Sequence, residues 1–155
     1  MIDDLEQLLR LAARVEADAA EGYARLAERM AGIGNAEVAA LFAKFGDFSQ
    51  LHLAEVLGLQ ANELGREFDT ALDPPSWPDG HSPEDPLALA PVDELDPRGA
   101  IELALETERR ACDFYAAVSG QTRSERIQEL SQMFAEEESE HVEHLQRWLA
   151  RMDRA

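Results

Sequence analysis

The chain has 155 residues, with 14 Lys+Arg against 32 Asp+Glu and a formal net charge of −18. That surface repels polyanions, so nucleic acid and anionic membranes are set aside as partners. The length suits a single domain, residues 1–155, able to bury a core without staples, and the lone Cys112 excludes an internal disulfide or a four-cysteine metal module within the chain.

The opening "MIDDLEQLLR" has neither the basic start nor the apolar run of a signal peptide, and no apolar stretch reaches membrane-spanning length. The expectation is a soluble, cytoplasmic protein. A first helix is predicted over about residues 3–31, with Leu5, Leu9, Ala12, Tyr23, Leu26 and Met30 on one face. "GIGN" closes it, and Asn35 is placed to cap a second helix over about residues 36–62, whose inner face carries Val38, Phe42, Phe45, Phe48 and Val56. All seven prolines lie between Pro74 and Pro97, which makes residues 63–96 a Pro-rich crossover. Within it, Trp77 and residues 87–90 read as apolar anchors onto the helices and His81 as exposed. Asp96 followed by Pro97 starts a third helix that ends at Gly120, and Thr122 with Glu125 forms a capping box for a fourth, running to about Met152. Phe42, Phe45, Phe48 and Met133 read as core, and Cys112 as a small packing residue.

Short turns make each helix pair an antiparallel hairpin. A helix of 28 residues is roughly 42 Å long, a distance the crossover can span in extended form, so the second and third helices can run parallel. The predicted fold is all-α: a ferritin-like four-helix bundle of two antiparallel hairpins joined by a long crossover.

The apolar faces carry ionisable residues that a core must neutralise. In the fourth helix Glu138 and His141 fall between Phe134 and Leu145 on the face that also carries Trp148. Glu16 stands seven residues before Tyr23, and Glu108 seven before Tyr115, the two pairs offset by 92 positions. His52 and His141 are offset by 89. The chain is thus an internal repeat of hairpins, each giving a glutamate from its first helix and a histidine from its second. Antiparallel pairing brings Glu16, His52, Glu108, Glu138 and His141 to one level. An oxygen-rich set with two imidazoles suits iron or manganese, with zinc as a further candidate. A metal-free polar core is the alternative reading, and Tyr23 and Tyr115 read equally well as core aromatics.

"EADAAEGY", "ETERRACDFY" and "EEESEH" resemble the rubrerythrin-like branch of the ferritin-like di-iron carboxylate proteins, without a rubredoxin module. The resemblance covers the four helices and not the crossover. It implies that the five residues above are metal ligands, that Tyr23 and Tyr115 orient carboxylates, and that a di-iron centre works on peroxide or dioxygen as a peroxide reductase or ferroxidase. It also implies a separate electron donor and a homodimer. Glu137 or a tyrosine hydroxyl is the candidate proton relay. The departure from the family pattern is Ser49, which occupies the place in helix 2 that Glu138 holds in helix 4. The expectation is that a second metal binds weakly unless Glu55 or water fills that gap, with Glu55 and its repeat counterpart His144 either adding ligands one turn away or bonding to each other. The remaining alternatives are a non-catalytic iron-handling protein with a reduced ligand set and a structural bundle that binds no metal.

Overall fold

The computed structural model describes residues 2–66, 68, 82–86 and 90–154. Trp77, His81 and residues 87–89 lie outside them. Four helices, and no strand among the described residues, carry the chain: α1 (Leu5–Gly32), α2 (Ala36–Leu64), α3 (Pro97–Gln121) and α4 (Glu125–Asp153). Each begins on a side chain that accepts from an otherwise unpaired backbone N–H. Asp4 accepts from Glu6, Asn35 from Val38 and Asp96 from Gly99. For α4 the cap is Ser124, which accepts from the Ile127 N–H, and not Thr122. Thr122 instead ends α3 and donates its hydroxyl to Asp3 at 2.9 Å. The turn between α1 and α2 needs Gly34, whose φ of 83° is a left-handed conformation that other residues adopt at a cost.

α1 packs on α2 and α3 on α4, and the buried apolar residues form two separate layers. One contains Leu26 and Met30 of α1, Phe42 and Phe45 of α2, Ile101 of α3 and Leu145 of α4. The other contains Leu8 and Leu9 of α1, Val56 of α2, Val118 of α3 and Phe134 of α4. The start of α1 and the start of α4 share the second layer, while α2 and α3 both begin in the first. The directions are therefore up, down, down, up, with α2 parallel to α3. Each fully buried Leu or Phe contributes about 1.5–3 kcal/mol relative to exposure. Two of the sequence assignments to the core shift outward: Met133 is 39% exposed, and Phe48 is only partly buried against the first layer.

The described parts of the crossover follow α1 from the second layer back to the first. Gln60 donates to the Leu9 carbonyl at 3.1 Å and accepts from the Phe68 N–H at 3.0 Å, and the Arg10 guanidinium lies 5.0 Å from the centre of the Phe68 ring. Pro86 packs on Gly22. Val92, in a short 3-10 turn (Val92–Glu94), and Leu95 pack on the first layer, and Arg29 donates to the Leu95 carbonyl at 3.2 Å.

Candidate metal centre

Between the two apolar layers lies a belt of polar residues: Glu16 of α1, Ser49 and His52 of α2, Glu108 of α3, and Glu138 and His141 of α4. Helix periodicity puts these on the inner stripes, because each stands three, four or seven residues from an apolar core position. Glu16, Glu108 and Glu138 are 4%, 0% and 1% exposed, and the two imidazoles are half-buried. All five residues singled out in the sequence are thus brought together.

The belt has two linked halves. One atom each of Glu16, His52 and Glu138 lies within 4.8 Å of the others, and the same holds for Glu84, Glu108, Glu138 and His141. Glu138 belongs to both. His52 Nδ1 is 3.4 Å from Glu16 Oε1, and His141 Nδ1 is 3.5 Å from both Glu108 Oε2 and Glu138 Oε2. The imidazoles stack on each other with centroids 5.3 Å apart, and Phe48 also stacks on His141 at 5.6 Å.

Glu84 is the residue that sequence reading missed. It comes from the crossover, is 1% exposed, and supplies a fourth carboxylate. A loop residue has no helical period to betray its direction, and nothing in "HSPEDP" distinguishes Glu84 from Asp85 as the one turned inward. Ser49 is buried as its register requires, but its hydroxyl turns back to the Phe45 carbonyl at 3.2 Å. Glu55, a candidate to fill the gap left by Ser49, is exposed and groups with His52 and Glu137 on the outer side. His144 packs its ring on Phe45 at 5.3 Å and belongs to none of these groups. Cys112 is half-buried, its thiol donating to the Ala135 carbonyl at 3.5 Å and its pKa pushed up by burial.

Both tyrosines are buried on the inner faces of their helices. Tyr23 donates to Glu108 Oε1 at 2.5 Å. Tyr115 is fully buried, and after burial its pKa is raised most by the charge of Glu16. Outside the belt, Glu137 Oε2 stands 3.9 Å from His52 Nε2.

Four carboxyl groups this close cannot all be charged in a metal-free protein. Burial pushes Glu84 and Glu138 well above the usual range; the charges of Glu108 and Glu16 raise Glu84 further against a lowering contact with Glu138, while the charge of Glu84 adds to the rise at Glu138. Glu108 is just as buried, yet its contacts with Glu138 and His141 outweigh that and hold it at about 2. Burial and neighbouring charge thus favour the protonated form at Glu84 and Glu138, and the contacts of Glu108 favour its charged form. Burial raises Glu16 against the opposing pull of His52, while His52, despite its own burial, is lifted to about 9 by Glu16.

Eight buried side-chain atoms have no hydrogen-bond partner among the described residues, and six of them line the belt: Glu16 Oε2, His52 Nδ1, Glu84 Oε2, Glu108 Oε2, Glu138 Oε2 and His141 Nδ1. Folded proteins leave few such atoms unpaired, and each one demands a reason. Here the six are one donor atom from each of six residues, all oxygen or imidazole nitrogen. That is the donor set of a non-haem iron or manganese site, so the clustered residues fit bound metal ions.

No protein-family model and no curated protein matches the chain. Its fold is similar to the crystal structure of an uncharacterized conserved protein from Magnetospirillum magnetotacticum MS-1, with a TM-score of 0.73 and 26% identity, covering 96% of this chain and 95% of that one. The four-helix arrangement thus recurs over nearly the full length of a second protein.

Proposed function

We propose that the protein is a ferritin-like, rubrerythrin-type non-haem metal protein with a dinuclear iron-type centre, acting as an oxidoreductase on peroxide or dioxygen. The observation that carries this reading is the convergence of six unpartnered buried donors from four helices and the crossover. Glu16, His52, Glu84, Glu108, Glu138 and His141 would hold the ions, with Glu138 common to both halves of the belt. When bound, such a centre supplies Lewis acidity and redox electrons toward an O–O bond.

The other residues serve that set. Tyr23 fixes one oxygen of Glu108 and leaves the other to face the belt. Glu137 stands between His52 and solvent, with its pKa raised by burial, and is placed to hold or pass a proton at His52 Nε2. The apolar layers above and below limit water to that outer side. On this reading residues 1–155 form one domain, which works in the cytoplasm as a homodimer with a separate electron donor.

The second reading, an iron-handling protein without turnover, draws on the outer group of His52, Glu55 and Glu137, which extends the donor set toward solvent. Elemental analysis after expression with added iron or manganese tests what both readings share. The expected content is about one to two ions per chain, and less than about 0.2 under either loading overturns both. Peroxide consumption with a supplied reductant then separates the oxidoreductase from the iron-handling protein.

A further inference from the structure

A glutamate does not enter a helical core from a loop unless the loop is held against the helices. One close contact holds this one against α1, and a second crossover residue is buried beside the preceding turn of that helix. A Cβ at residue 22 would stand 2.5 Å from Pro86 Cγ and 2.6 Å from Pro86 Cδ, so only glycine leaves room for the proline ring. One turn earlier, Ser82 lies beside Asp18. Glu84, midway between Ser82 and Pro86, is thereby turned inward, and its Oε2 ends unpartnered beside Glu108, Glu138 and His141.

The charge of the belt shows what the inserted carboxylate does. Two divalent ions carry four positive charges. The helices alone bring three carboxylates, Glu16, Glu108 and Glu138, because α2 has Ser49 where the repeat calls for an acid. With Glu84 the count is four, and a buried dinuclear centre becomes neutral, which a low-dielectric core strongly favours.

The geometry points to Glu84 as a crossover-borne replacement for the carboxylate that α2 lacks, and to Gly22 as the positioning residue that admits it. This rests on the metal-binding reading above and goes beyond it: docking of the crossover on α1 and binding of the second ion become one equilibrium. Gly22 touches no donor atom and acts only through Pro86.

Anaerobic titration with Fe(II), and separately with Mn(II), tests this on the full chain, with the metal-free melting temperature measured for every variant. Glu84→Gln keeps the shape and removes the charge. Its metal-free form should melt no lower than wild type, while its second ion binds at least about tenfold more weakly. Glu84→Gln/Ser49→Glu moves the carboxylate from the crossover to α2 and should recover that ion. Gly22→Ala should weaken the second ion although every donor remains, and Glu140→Gln, at an exposed position outside the donor groups, should titrate as wild type does. If wild type binds two ions and Glu84→Gln superimposes on it, this inference is overturned and the metal-binding reading stands. A Gly22→Ala curve matching wild type overturns the role of Gly22. A wild type that binds neither metal overturns both.

Discussion

Glu84, Glu108 and Glu138 stand where water has no access, so their protons govern the metal-free protein. Burial raises the pKa of Glu16, Glu84 and Glu138 above the ordinary 4.5. Each binds a proton in the folded chain at pH values where the unfolded chain has released it. Their stabilisation is present at low pH and is lost as pH rises past the ordinary value. His52 acts in the same direction, because its contact with Glu16 lifts it from 6.5 to about 9 and its contribution fades as pH rises through that range. Glu108, held at about 2, acts oppositely, and its contribution is lost only as the solution turns strongly acid. The metal-free melting temperature should therefore fall between about pH 5 and about pH 9, while the gain on adding metal grows over the same interval as protons compete less for the donors. Thermal denaturation across pH, with metal and with chelator, measures both, and a metal-free melting temperature that climbs toward pH 9 would refute the protonation scheme. Tyr23→Phe removes the hydroxyl that holds Glu108 at 2.5 Å. It should weaken metal binding about 10- to 100-fold with the fold retained, as read by competition titration against a chelator.

Among the elements, α2 behaves least like its repeat partner. Its acid is replaced by Ser49, which bonds within its own helix, and its Gln60 binds α1 and the crossover at once through the Leu9 carbonyl and the Phe68 N–H. Gln60→Leu matches the side chain in bulk but strands the Phe68 N–H, and should cost about 1–3 kcal/mol. Asn35→Ala removes the cap that accepts from the Val38 N–H at 3.0 Å and should cost about 1 kcal/mol. Urea unfolding of the two variants distinguishes these effects from the metal centre, since neither residue lies in the belt. A Gln60→Leu midpoint equal to wild type would mean that Phe68 is not held through Gln60.

Taken whole, the molecule interrupts its core with a charged belt, and no helix among the described residues is long and apolar enough to cross a membrane. The two hairpins meet across that belt, so an ion held there would join elements that otherwise touch mainly through apolar layers. A ligand held at 100 times its dissociation constant adds about 2.7 kcal/mol of stability, or on the order of 5–10 °C in melting temperature at this chain length. Identical melting curves with and without metal would show that protons alone satisfy the buried acids.

Much of this could be read before any coordinates. Confining seven prolines to one segment leaves four long helices, and the 92-residue offset of Glu16–Tyr23 from Glu108–Tyr115 reveals two like hairpins. The 3.6-residue period is a local property, so it puts Glu16, His52, Glu108, Glu138 and His141 on inner faces without knowledge of their neighbours. Glu84 lies in a segment with no such period. Its burial depends on Pro86 meeting Gly22, a contact between residues 64 positions apart that neither stretch announces. The same limit explains why Ser124 rather than Thr122 caps α4: the Thr122 hydroxyl is drawn to Asp3, at the far end of the chain. Periodicity sets which side of a helix faces inward, whereas contacts between distant segments set what a loop carries into the space between helices.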